Sequence, residues 1–257
     1  MRRKVALTTG EVYHVFNKSI AGYEIFNYEE DFLRMKQMFL YYCLERTPMQ
    51  FSNFLNLDRV KIYGFNKNIQ ELNESNHNLV QIIAYCIMPT HFHLAVKQLI
   101  DKGITKFMGN TLNSYSRYFN LKQKRKGPLW VGPFKNVRVQ SDEQLLHLTR
   151  YIHLNPVTAS IVNDPGEWSA SSYGEYISSL GNDRKICDYR DILDIEPKKY
   201  KLFVQDGVNY YMNYDTTVGS VRLRLSQTQN VPGSGYVLID SAGPVQERQF
   251  LLCGHPT

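Results

Sequence analysis

Ile82-Ile83-Ala84-Tyr85-Cys86-Ile87-Met88-Pro89-Thr90-His91-Phe92-His93-Leu94-Ala95-Val96-Lys97 reads as two strands folded back on each other. The run Leu79 to Met88 is apolar enough for a central strand. Met88-Pro89-Thr90 then makes a turn, because proline cannot donate to the middle of a ladder, and strands joined this tightly pair antiparallel. Alternate residues of a strand share a face, so His91 and His93 point together while Phe92 turns into the opposite layer. Two neutral imidazoles at that spacing can share a metal ion. They equally suit two polar residues on a half-exposed strand, and spacing alone does not choose.

Outward from this hairpin, Glu11 to Lys18 alternates as a first strand with Val12, His14 and Phe16 on one face. His14 is thus a candidate third imidazole, although a satisfied strand histidine is the simpler reading. Tyr28 to Leu44 has helical apolar spacing at Phe32, Met35, Phe39, Tyr42 and Cys43. Phe51 to Leu57 reads as a short helix, Arg59 to Phe65 as a strand and the Asn-rich 66–78 as an exposed connection. Ile104, Met108, Leu112, Tyr115 and Phe119 form the stripe of an amphipathic helix over Ile104 to Leu121. Leu129 to Val139 is expected to be extended.

The chain of 257 residues, 43% of them hydrophobic, is long enough for one sizeable core plus extensions. Leu79 to Met88 is interrupted by Gln81 and too short to span a bilayer. The apolar run after Met1-Arg2-Arg3-Lys4 is too short for a secretory signal. Cys43, Cys86, Cys187 and Cys253 include no CxxC pair, which argues against a zinc ribbon or disulfide framework and suits a reducing, cytoplasmic setting. A net charge of +6 is a weak pointer to an anionic partner. Its distribution says more: Lys102 to Gln140 carries nine basic side chains and no acidic one. Arg117, Lys122, Lys124, Arg125, Lys126, Lys135 and Arg138, with Trp130 among them, are the candidate DNA-binding residues, the cations for phosphates and the indole for a base.

Ser141-Asp142-Glu143-Gln144 has the pattern of a capping box, so a helix starts here. Leu145, Leu148 and Ile152 form its buried stripe, and Gln144, His147, Tyr151 and Asn155 recur along an adjoining one. Pro156 disfavours helical geometry at the preceding residue and places the expected end near Asn155. Tyr151 and Asn155 then lie one turn apart near the negative end of the helix dipole, where a cation is favoured. Paired imidazoles, an amide oxygen, a phenol and a basic aromatic surface together suit phosphodiester cleavage.

Four runs now support a family resemblance: Met88-Pro89-Thr90-His91-Phe92-His93-Leu94, Gly127-Pro128-Leu129-Trp130-Val131-Gly132-Pro133-Phe134-Lys135, Arg150-Tyr151-Ile152-His153-Leu154-Asn155-Pro156-Val157 and Trp168-Ser169-Ala170-Ser171-Ser172-Tyr173. In this order the chain, over about Glu11 to Tyr176, resembles the REP-associated tyrosine transposases, a branch of the single-tyrosine HUH transposases. Thr90 stands where that family commonly has Asn, and Glu45 to Asn78 is longer than in its shortest members. The resemblance implies an α+β, ferredoxin-like domain with a central antiparallel sheet and helices on its face, spanning 1–180. A helical extension is expected over 181–212 and a weakly packed tail over 213–257.

The resemblance also implies Tyr151 as nucleophile, His91, His93 and Asn155 as ligands of a divalent metal, Mg²⁺ or Mn²⁺, and palindromic hairpin or single-stranded DNA as partner. Imidazole ligands favour Mn²⁺ or Zn²⁺ over Mg²⁺ on softness grounds. The expected reaction is strand cleavage and rejoining through a 5′-phosphotyrosine, by a phenol whose reference pKa is about 10. Two rivals are a DNA-binding protein on the same fold without catalysis, and a hydrolase that uses the histidines to activate water. Either a monomer with its site completed in cis or a homodimer is compatible with the sequence.

Overall fold

The two halves of the quoted stretch are strands β2 (Val80–Met88) and β3 (His91–Gln98), paired antiparallel. In the computed structural model, the residues described are 6–178, 185–217, 238–239 and 249–250. Strand β1 (Val12–Lys18) lies on the other side of β3, and β4 (Lys135–Arg138) closes the order β2-β3-β1-β4, every pair antiparallel. The β2–β3 register shifts between Ile82 and Ala84, a bulge in the otherwise regular hairpin.

Both edges of this sheet are protected. At β4 the exposed Lys135 and Arg138 put charge on the edge. At β2 the Trp168–Tyr173 run does the covering: the Ile87 N–H donates to the Ala170 carbonyl (2.9 Å), the Ser172 N–H to the Tyr85 carbonyl (2.9 Å) and the Trp168 indole to the Ile87 carbonyl (3.0 Å). One of the four runs behind the family resemblance is therefore an edge seal.

One face of the sheet carries Tyr13, Val15, Phe92, Leu94 and Val96, all fully buried. Helices α1 (Glu29–Cys43) and α5 (Gly103–Lys122) cover it, with Phe39 6.0 Å from Phe92 and 6.1 Å from Phe107, ring centre to ring centre. All five residues of the expected α5 stripe are buried. Asp31, fully buried in the first turn of α1, accepts hydrogen bonds from the Asn27 and Tyr28 N–H groups, the Tyr118 hydroxyl (2.7 Å) and Lys122 Nζ (2.7 Å). It thereby ties the start of α1 to the end of α5.

Between α1 and β2 the chain forms three short helices, α2 (Phe51–Leu55), α3 (Asp58–Tyr63) and α4 (Phe65–Glu74). This corrects two expectations. Arg59 to Phe65 is helical rather than a strand, and most of 66–78 is helix rather than an open connection. Gly64, at φ +83°, makes the corner that splits the segment in two, and the Asn68 side chain fastens it by donating to the Arg59 and Gly64 carbonyls. The Asn-rich composition is thus spent partly on corner chemistry.

The opposite face of the sheet is covered by α6 (Asp142–Thr158). Ser141 caps it, accepting from the Gln144 N–H at 3.1 Å, whereas the Gln144 carboxamide turns to the Gln140 N–H. The helix runs through Pro156 to Thr158, beyond the expected end near Asn155. Proline removes the N–H that would have bonded the Ile152 carbonyl. The Asn155 side-chain nitrogen approaches that carbonyl at 3.4 Å and the Tyr151 carbonyl at 2.9 Å. Tyr151 consequently sits about two turns from the helix end, where the dipole favours a cation less than the expected boundary would have allowed.

Behind α6 lies α8 (Pro197–Thr217), after the short α7 (Tyr173–Ile177). Tyr200 donates its hydroxyl to, or accepts from, His153 Nδ1 at 2.6 Å, and His153 Nε2 meets the Ser172 hydroxyl at 2.8 Å. At Gly207 a Cβ would lie 2.6 Å from Leu154 Cδ1, so the glycine on α8 makes room for the Leu154 side chain of α6 as it stands. The first compact unit spans Met1–Asn209 and takes in most of the extension expected over 181–212; the second is Tyr210–Thr257, which includes a ladder between β5 (Leu238–Ile239) and β6 (Gln249–Phe250). The tail expected over 213–257 falls mostly outside the described residues. Among the described residues no helix is long and apolar enough to cross a membrane.

Candidate active site

The face of β3 opposite Phe92 presents His91 and His93, ring centres 5.1 Å apart and perpendicular. Tyr151 reaches them from α6: its ring centre lies 5.5 Å from that of His93, edge to face. The strand and the helix thus bring the two expected imidazole ligands and the expected nucleophile together within one chain. Asn155 follows one turn later on the same helix face and is buried.

His14 completes the cluster. The β1–β3 register sets Phe16 opposite His93 and His14 opposite Ala95, so His14 is the diagonal neighbour of His93 on the same face. Its Nε2 lies 2.9 Å from His93 Nδ1, and its ring centre lies 6.0 Å from that of Tyr151. The alternation of β1 marked this residue in the sequence; the signal missing was which strand β1 would pair with.

Burial keeps His14 and His93 neutral. It holds His14 down to about 3, and it pushes His93 well below the usual histidine range, with His91 and His14 adding to the effect. Neutral imidazole is the form that ligates a metal. His91 Nδ1 contacts the Thr90 hydroxyl at 2.9 Å. Each histidine of the pair therefore has its Nδ1 engaged by a neighbour, which makes Nε2 the ring nitrogen suited to a cation. The Asn155 amide nitrogen faces helix carbonyls, so its oxygen is the atom directed elsewhere. Among the described residues no three His, Cys, Asp or Glu side chains form a ready metal site. Two imidazoles, one amide oxygen and DNA or water oxygens would have to make up the shell, a donor set that fits a divalent ion.

The sequence model of the transposase IS200-like family matches residues 62–155. The match holds His91, His93, Tyr151 and Asn155, and it bears out the resemblance read from the four runs. No curated protein matches the chain. A solved structure described as the REP-associated tyrosine transposase bound to a REP hairpin is similar at a TM-score of 0.46 and 13% identity, covering 76% of this chain and 94% of that one.

Around this site the candidate DNA-binding residues divide. Lys124 and Lys126 are exposed on the loop after α5, and Arg125 is bound to the Asn120 side chain and the Pro128 carbonyl. Lys135 and Arg138 lie on the β4 edge, the latter paired with Glu11 at 2.6 Å. Lys122 is committed to Asp31. Arg117 lies on the far side of the sheet, in a groove of about 550 Å³ between α1 and α5. Trp130 is only 9% exposed, packs on Phe92 and donates its indole N–H to the Leu112 carbonyl, so its ring serves the core rather than an open stacking surface. Tyr115, on the α5 stripe, is fully buried on the far face and donates to the Ile25 carbonyl at 2.6 Å.

Proposed function

We propose that the protein cleaves and rejoins single-stranded DNA through a covalent tyrosine intermediate. The observation that carries this reading is the placement of the Tyr151 phenol beside the His91–His93 pair, in a chain whose 62–155 segment matches the IS200-like transposases. Tyr151 loses its proton and its oxygen attacks the scissile phosphorus. The P–O3′ bond breaks, the 3′ oxygen takes up a proton, and the 5′ phosphate stays on Tyr151. Because the new phosphodiester conserves the bond energy, a 3′-OH can reverse the step on another strand without ATP.

His91, His93 and Asn155 are the residues that would hold a divalent cation, Mg²⁺ or Mn²⁺, which when bound supplies charge for the phosphate oxygens. The chain's own contribution is to present a neutral His93 beside His91 and to carry the phenol on a helix packed from behind. The exposed Lys124 and Lys126, with Lys135 on the sheet edge, would grip the backbone. The DNA class that fits is a hairpin with a single-stranded flank.

The test is incubation with end-labelled hairpin DNA and Mn²⁺, followed by denaturing gels and mapping of the modified residue. The expected result is one adduct, on Tyr151, absent from Tyr151→Phe while that variant still binds the DNA. An undiminished adduct in Tyr151→Phe overturns the assignment. An intact oligonucleotide with wild-type protein leaves a DNA-binding protein without catalysis.

A further inference from the structure

We infer that His14 is a positioning residue: its Nε2 accepts the Nδ1–H of His93 and so holds His93 in the tautomer that offers Nε2 to a divalent cation. The inference rests on the function proposed above and concerns a residue outside the expected ligand set. A separation of 2.9 Å between two ring nitrogens is a hydrogen bond, and one proton serves it. If His14 were the donor, the neutral His93 would carry its proton on Nε2 and could not ligate through that atom. Cation binding at His93 Nε2 therefore requires His14 to accept.

The rest of the cluster holds His14 in place for this. It is 4% exposed, with Phe16 4.8 Å away on its own strand and Tyr151 edge-on across the layer. His91 shows the same arrangement at smaller scale, its Nδ1 against the Thr90 hydroxyl. Imidazole ligands are commonly oriented by a carboxylate. A neutral imidazole in that place fixes the ring without adding negative charge where a DNA phosphate must approach.

Three forms of the full chain decide it: wild type, His14→Phe, which keeps a ring but offers no acceptor, and His14→Gln, whose side-chain oxygen can take the place of Nε2. Long-range ¹H–¹⁵N spectra of the metal-free protein report the His93 tautomer. Electron paramagnetic resonance of free Mn²⁺ gives its affinity. The expected result is Nδ1–H on His93 in wild type, Mn²⁺ binding weakened about tenfold or more in His14→Phe, and affinity restored to within about threefold of wild type in His14→Gln. Unchanged Mn²⁺ affinity in His14→Phe, or Nε2–H on His93 in wild type, overturns the inference and leaves the proposed function standing. Failure of wild type to bind Mn²⁺ at all strikes the metal-assisted reading itself. Should His14→Phe not fold, the wild-type spectrum and His14→Gln still decide.

Discussion

The two faces of strand β3 differ in what their side chains are for. Phe92, Leu94 and Val96 fill the layer under α1 and α5, whereas His91 and His93, one residue out of step, meet α6 and its phenol. A two-residue period lets one strand anchor a core and carry a reactive site at once. Substitutions should therefore separate cleanly: one face alters stability, the other chemistry.

The largest effect expected is at Tyr151. Tyr151→Phe should abolish the covalent adduct on denaturing gels while moving the thermal midpoint little, since the side chain is only half buried. Next comes the opposite face: Phe92→Ala should cost about 3–5 kcal/mol in urea unfolding. His91→Ala, one residue away and half-buried, should cost about 1 kcal/mol. Equal destabilisation at the two positions would break the contrast.

Acid sharpens it further. Burial holds His14 and His153 near a pKa of about 3 in the fold, so the unfolded chain alone takes up their protons as pH falls below the ordinary histidine value. Stability of the metal-free protein should accordingly drop between about pH 6.5 and 3, by about 1.4 kcal/mol per pH unit for each histidine. His153→Gln should flatten the slope by one histidine's share in urea titrations at stepped pH. The smallest effect concerns the loop after α5. Neutralising Lys124 or Lys126 should make the dependence of log affinity on log salt shallower by about 0.7 for each phosphate of single-stranded DNA that the side chain neutralises. Trp130→Ala should instead register as a lower unfolding midpoint.

The hairpin, the first strand, α1, α5 and the start of α6 were legible because each follows from period, turn or cap. The 59–78 segment was not, because its helices are short and their corner depends on Gly64 and Asn68 acting together. Within the site, His91, His93 and Tyr151 could be named from the sequence, but His14 could not be weighed without the β1–β3 register. The basic run misled in part for a similar reason. Its composition does not show that Lys122 is held by an aspartate 91 positions earlier, or that Trp130 is buried.

Gly207 carries one more consequence. The bare backbone there receives the Leu154 side chain, so α6 and α8 meet through that leucine. The orientation of the proposed nucleophile Tyr151 would then depend on packing behind its helix. Gly207→Ala would press on Leu154, and the expected outcome is a change in how α6 sits rather than in which groups it carries.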